Sequence, residues 1–206
     1  MRMKKQRRAP AERPQEILAA ALELFVEKGF AATRLDDVAE RAGLSKAAIY
    51  LYFDDKTALF QGVIRQTISA NIGTVEALAK AHQGPVSALI PGILDFIASR
   101  VEDTPMASIA KLVIAESRAF PEIGRFYLKE VIGRGIPIFE GLIGRGIANG
   151  EFRKVDPLFT VRSLIGPMLL SIVWKTVFEP IGAEKLDVRG LARHHADLML
   201  HALRPS

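Results

Sequence analysis

The sequence predicts an all-α fold, with a small amino-terminal three-helix unit followed by a larger helical domain. Apolar residues recur at three- and four-residue steps along most of the chain. Capping residues, glycines and prolines punctuate these stretches where helices start and stop. Alternating, strand-like patterns are nearly absent. The 206 residues are 49% hydrophobic and 25% charged, the profile of a folded chain rather than a disordered one. That length suits one large domain or a small one joined to a larger one. There is no cysteine, which excludes disulfides, thiolate metal sites and cysteine nucleophiles.

Residues 1–12 read as a basic, disordered arm, because Arg2, Lys4, Lys5, Arg7 and Arg8 crowd together with nothing to bury. Such an arm lends salt-sensitive, sequence-independent affinity for phosphates to whatever nucleic-acid-binding unit it adjoins. Helix one follows. Pro14 suits its first turn, where the fixed backbone angle fits and the missing amide is not needed. Ile17, Leu18, Ala21, Leu24 and Phe25 form its apolar face, and Gly29 ends it.

The stretch Thr33–Lys56 reads as two short helices joined by a tight turn. Thr33 and Asp36 have the spacing of a capping box. Leu35, Val38, Ala39 and Ala42 supply the inner stripe, Gly43 the left-handed turn, Leu44 a core plug and Ser45 the next cap. A small residue (Ala39), a glycine (Gly43) and a branched apolar residue (Ile49) hold the three positions that a helix-turn-helix constrains most. The second helix is expected over Lys46–Phe53, with Ile49, Phe53 and part of Ala47 inward and Lys46, Ala48, Tyr50 and Tyr52 outward. That is how a helix is presented to the major groove of DNA. Lys46 suits guanine O6 and N7, and Ala47 and Ala48 permit close approach and thymine-methyl contact. Arg34 is a further candidate for a base or a phosphate. Residues 13–58 are thus the expected DNA-binding domain and 59–206 the second domain.

The second domain starts on a long helix capped by Asp55 or Asp54 and running to about Ala81, where Gln83–Gly84–Pro85 breaks it. Helices are then expected near Val86–Val101, from Thr104–Pro105 to about Phe120, and near Glu122–Gly133. The Gly- and Pro-rich Gly133–Pro137 leads into another over Ile138–Asn149. Asp156–Pro157 starts a long helix reaching about Glu179, and the last covers roughly Asp187–Leu203. The longest apolar run, around Leu164–Trp174, is interrupted by Gly166 and Pro167 and is too short to span a bilayer. No signal-type apolar stretch follows the basic terminus, so a cytoplasmic protein without membrane partners is expected.

Thr-x-x-x-x-x-Ala-x-x-Ala-Gly-Leu-Ser-Lys-x-x-Ile-Tyr-x-Tyr-Phe, beginning at Thr33 and ending in Asp-Asp-Lys-x-x-Leu-Phe, resembles the amino-terminal signature of the TetR family of transcriptional regulators. The likeness covers about Arg13 to Phe60. More loosely, Glu116–Glu122 (ESRAFPE) and Gly150–Pro157 (GEFRKVDP) are similar to AcrR- or AefR-type ligand-binding domains. The resemblance implies a homodimer that binds a palindromic operator on double-stranded DNA and leaves it when a small ligand enters the second domain. It implies base-edge contacts at Lys46, Ala47, Ala48 and Tyr50, and phosphate contacts at Thr33, Ser45, Tyr52 and Lys56. One departure is Asp54–Asp55, two carboxylates where the family commonly carries Lys, Asn or Ser. Asp55 is expected to act as a helix cap, and Asp54 is left open.

A pocket for a hydrophobic or amphipathic ligand is expected from Phe96, Met106, Phe120, Phe126, Tyr127, Phe139, Met168 and Trp174, with Arg100 and Glu116 orienting a polar group. Leu164, Met168, Ile172, Leu191, Leu198 and Met199 are the expected dimer contacts, in a four-helix bundle made by the last two helices of each subunit. His194 and His201, seven apart on one helix face with His195 adjacent, make a weak metal site, and none is expected. No convergent acid–base set is evident, so neither enzyme activity nor a cofactor is expected. The functional expectation is a ligand-responsive repressor, with an activator of the same fold or a ligand-free architectural DNA binder as alternatives.

Overall fold

Burial of apolar stripes sets the order of elements in the computed structural model, which describes residues 13–205; the expected arm at 1–12 lies outside them. Helix α1 (Arg13–Ala32) buries Ile17, Leu24 and Phe25 and kinks at Gly29, whose φ of 80° suits a residue without a side chain. Helices α2 (Leu35–Ala42) and α3 (Lys46–Tyr50) meet at Gly43, with φ 67° and ψ 33°. Its amide and that of Leu44 close the end of α2 onto the Glu40 and Ala39 carbonyls, at 3.0 and 2.9 Å. Arg41 ties α2 to α1 through Glu23 at 3.0 Å and Glu27 at 2.9 Å.

Helix α4 (Lys56–Ile64) runs through one π-helical turn, Arg65–Ser69, into α5 (Ala70–Ala81). The expected single rod is therefore present, with a wider turn at its middle. After it come α6 (Val86–Asp103), which contains Pro91, and α7 (Met106–Glu116). The next stretch differs from expectation. Helix α8 (Pro121–Tyr127), a π-helical turn (Leu128–Ile132) and α9 (Gly133–Ala148) follow one another without a break through Gly133–Pro137. A proline inside a helix removes one amide and crowds one carbonyl. Here the backbone continues in helical form around Pro137, and packing of Phe139, Leu142 and Ile143 holds it. Helix α10 (Pro157–Val173) continues through a third π-helical turn, Trp174–Phe178, and α11 (Val188–Leu203) closes the fold. Among the described residues there is no strand.

Two apolar cores result. One lies between α5, α6, α9, α10 and α11 and takes Ala107 and Ala110 of α7. The other joins α1–α4 but also takes Ile109, Leu112 and Val113 of α7 and Ile123 of α8. A division at residue 58 thus falls inside α4, and the amino-terminal core reaches into the second half of the chain. Met106 packs against both cores.

Helical structure over Pro157–Ile181 spans 25 residues and holds an 18-residue window with a mean hydropathy of 1.4, long and apolar enough to cross a membrane by those two measures. That corrects the expectation that the apolar run is too short for this, while the helix itself passes Gly166 and Pro167 as the expected helix from Asp156–Pro157 to about Glu179 requires. Its inner side, including Val161, Leu164 and Met168, is packed into the carboxyl-terminal core.

Candidate functional site

The turn after α3 brings a small exposed surface together. Ser45 accepts from the Ala48 amide at 3.2 Å and so starts α3. Ile49 is fully buried, while Lys46, Ala47 and Tyr50 are exposed and Ala48 is half-covered. The expected order of the two alanines is reversed, since Ala47 is the outward one. Arg34 is exposed beside them, as is Tyr52 at the end of the turn. Helical backbone ends at Tyr50 rather than Phe53, and the turn rotates Leu51 outward, leaving it 78% exposed. Leu51 escaped the sequence reading because an aliphatic residue between two tyrosines looks like core.

Two expected phosphate contacts are placed differently. Thr33 is 1% exposed, and its hydroxyl donates to the Gly29 carbonyl at 2.7 Å and the Leu24 carbonyl at 3.2 Å. It therefore pins the kinked end of α1 and makes no capping box; α2 has Arg34 at its N-cap and no side-chain cap. Buried in this way, the Thr33 hydroxyl has no open side from which to meet a phosphate. Lys56 donates from Nζ to the carbonyls of Phe30 at 2.7 Å and Ala31 at 3.0 Å, and lies 4.5 Å from the centre of the Phe30 ring. Burial holds its pKa below the usual lysine range, with the Glu116 charge acting against that shift. One of its three N–H groups is left for another partner.

Lys46 is not idle either. Its ammonium pairs with Asp36 at 2.9 Å, a hydrogen bond and charge that raise its pKa. The pair is exposed, so water screens it and little holds Lys46 back from a better acceptor. Asp55 caps α4 by accepting from the Ala58 amide at 2.7 Å, as expected, while Asp54 is simply exposed.

The second feature is an apolar cavity of about 400 Å³ enclosed by the α4–α5 rod, α6, the α8–α9 stretch and α10. Of the residues expected there, Phe96, Arg100, Met106, Tyr127, Phe139 and Met168 line it. The other four lie elsewhere. Phe120 stacks edge-on against Phe30 at 4.9 Å, Phe126 packs on the amino-terminal core under Arg65, and Glu116 sits by Gly29. Trp174 donates from Nε1 to the Glu184 carbonyl at 2.9 Å. Phe120 and Phe126 thus pack on the amino-terminal core instead of the cavity, and Glu116 and Trp174 point to neither.

The lining also includes residues that the sequence reading did not single out, among them Asn71 and Arg162. Arg162 had a signal, being the one charged residue of α10. The Arg100 guanidinium lies 5.5 Å from the Phe96 ring centre, and its Nε reaches the Ser99 hydroxyl only at 3.4 Å. Among the described residues neither Arg100 nor Arg162 has a carboxylate within ion-pair distance. Burial pushes the Tyr127 hydroxyl up to about 12, so it faces the cavity neutral at ordinary pH.

The expected dimer contacts need a correction. Leu164, Met168 and Ile172 are all buried within the protomer, in its carboxyl-terminal core. They form the inner stripe of α10. The outer stripe is Phe159, Ser163, Gly166, Leu170, Val173 and Val177, at steps of three and four, with Phe159 65% and Leu170 55% exposed. On α11, Leu198 is 53% exposed and Leu191 and Met199 are half-buried. His195 meets the Ser163 carbonyl at 3.1 Å, joining the two helices side by side.

Comparison with known proteins agrees with this architecture. Residues 17–63 match the bacterial regulatory proteins of the tetR family, and residues 92–202 match the carboxyl-terminal domain of AefR-like transcriptional repressors. The HTH-type transcriptional regulator YfiR of Bacillus subtilis is 31% identical over 185 residues, covering 88% of this chain and 87% of its own. A TetR-family regulator from Mesorhizobium loti superposes with a TM-score of 0.78 at 20% identity, covering 95% of this chain and 98% of that one. Bacillus subtilis FadR, solved in complex with stearoyl-CoA, gives 0.75 at 19% identity, covering 92% and 99%. At those identities the two structures speak for the fold alone. The family matches and the YfiR likeness go further: this chain belongs to the TetR family of helix-turn-helix transcriptional regulators, with a carboxyl-terminal domain of the AefR-like kind.

Proposed function

We propose that the protein is a homodimeric repressor that binds a palindromic operator in the cytoplasm and is released by an apolar small molecule carrying an acidic or polar group. The observation that carries this reading is the shared wall between cavity and DNA-facing unit. Ile68 lines the cavity and also packs in the amino-terminal core, as do Met106 and Tyr127. A ligand that prefers one arrangement of these residues shifts the α4 rod, and with it α3, by no more than its differential affinity for the two states. In the DNA-bound dimer, the two α3 helices are placed about 34–36 Å apart to enter successive major grooves.

Within that surface, Lys46, Ala47, Tyr50 and Arg34 are the proposed readers of base edges, joined by the half-covered Ala48. Ser45, Tyr52 and the remaining N–H of Lys56 are the proposed phosphate contacts, which fix register rather than sequence. In the cavity, Arg100 and Arg162 supply positive charge, and Asn71 and Tyr127 polar groups, in a mostly apolar lining, which suits an anionic or strongly polar head on an apolar body.

The test is binding of the protein to its own gene's upstream DNA and to random duplex, across a salt series and with saturated fatty acids of graded length. Selective binding that survives physiological salt, and that weakens with a chain-length optimum, is the expected result. Equal binding to both duplexes that vanishes with salt at both would overturn the reading in favour of architectural binding.

A further inference from the structure

We propose that the cleft between α5 and α9 is a second site, which takes phosphate groups. The proposal rests on the ligand-responsive reading above and adds to it a separate place for charge. The cleft has a volume of about 550 Å³ and is lined by Lys80, Arg134 and Arg145 against a single carboxylate, Glu76. Glu76 is already engaged, with Lys80 at 2.7 Å and Arg134 at 4.0 Å, and Arg134 also meets Glu130 at 3.9 Å just beyond the lining, so a net charge of about +1 by formal count remains (three cations less two anions), and it falls on Arg145.

Arg145 is the decisive residue. Its Nε and Nη2 are shielded from water and have no hydrogen-bond partner, and Nη1 reaches the Ala79 carbonyl only at 3.4 Å. A guanidinium with shielded, unmatched N–H groups is costly, and the cost is removed when the side chain turns toward the cleft and meets an anion edge-on. Phosphate fits that fork bidentately, which a single carbonyl does not. Gly133 and Gly141 thin the wall on the α9 side. Ile138 lines both the cleft and the apolar cavity, so one ligand with an apolar chain and a phosphorylated head can occupy both. A free phosphate compound can equally occupy the cleft alone, and the experiment separates the two sources.

The full-length protein is titrated calorimetrically with stearate, stearoyl-CoA, coenzyme A and inorganic pyrophosphate, and thermal melting is followed in parallel. The variants are Arg145→Met, Arg134→Gln and Lys80→Gln; the last two change exposed side chains and leave the fold intact. The expected result is that stearoyl-CoA binds at least about tenfold more tightly than stearate. That advantage disappears in the Arg145 and Arg134 variants, while stearate binding stays within about twofold of the original. Arg145→Met alone should also leave the ligand-free melting temperature unchanged or raised, since it removes an unmatched buried charge.

If coenzyme A or pyrophosphate binds by itself and the variants abolish it, the cleft takes free phosphate compounds. If only stearoyl-CoA shows the variant-sensitive gain, the phosphates arrive as a lipid head. Either result supports the site. No phosphate-dependent binding, or binding that all three variants leave unchanged, overturns it, even where stearate binds and the cavity reading stands. Conversely, pyrophosphate binding without any stearate binding keeps the cleft and removes the apolar ligand.

Discussion

Lys56 illustrates how a side chain in a family motif can be spent on structure before it meets DNA. Its two carbonyl partners are Phe30 and Ala31, beyond the kink at Gly29, where helix-end carbonyls lack intrahelical donors. Lys56→Ala is therefore expected to lower stability by about 1–2 kcal/mol, the range for a partly exposed, charge-assisted hydrogen bond, as read from urea midpoints. The slope of log affinity against log salt should fall by no more than about one, and a larger loss would give Lys56 several phosphates. Tyr50 has no such burden, being half-exposed on α3. Tyr50→Ala should leave stability nearly unchanged but reduce the preference for operator over random DNA by about tenfold, a loss of one good base-edge contact. Unchanged discrimination in a competition assay would remove α3 from the reading role. Residues like these were legible in the sequence because spacing and residue type both point outward. Thr33 was not, since a threonine three residues before an acid fits a capping box as well as it fits the buried knot that it forms with Leu24 and Gly29.

Among the elements, helix starts were read well where a carboxylate precedes the first turn: Asp55, Asp156 and Asp187 all accept from an amide three residues on. The π-helical turns were not read, because one inserted residue per turn shifts the apolar stripe without interrupting it. They matter to the site. Arg65–Ser69 and Leu128–Ile132 both contribute side chains to the cavity wall, Ile68 from one and Val131 and Ile132 from the other. The widened turns thus lie where the rod from the DNA-facing unit passes the ligand space. At the rod's other end the two adjacent aspartates should behave differently. Asp55→Ala removes a cap and should cost about 1 kcal/mol in the urea midpoint. Asp54→Asn changes no bond that the structure shows, so stability should hold while affinity for all DNA rises modestly as a repelling charge is lost. Equal effects from both substitutions on stability and DNA binding would mean that the cap is not what distinguishes them.

Across the whole molecule, the phase of α10 decides which of its faces is left open to a second copy. Counting apolar residues along this helix gives two stripes of similar character, and sequence alone does not say which one faces a neighbour within the chain. Leu164, Met168 and Ile172, which spacing alone offers equally to a partner, fill the protomer's own core, which leaves Phe159, Leu170 and Val177 outside. An apolar row of that length, with Leu198 also exposed on the neighbouring α11, is the kind of surface that a second subunit covers. Leu170→Asp puts a charge at the middle of the row without touching the core. It should yield a monomer with an unchanged far-ultraviolet spectrum in analytical ultracentrifugation. Operator affinity should drop by about a hundredfold or more, because the second half-site is then no longer held at high effective concentration. Leu78→Asp, also on an exposed apolar position but on α5 and outside the row, is the matched control and should remain dimeric. If Leu170→Asp stayed dimeric while Leu78→Asp dissociated, the twofold axis would run past α5 instead. The spacing of the two α3 helices would then have to be derived again from that axis.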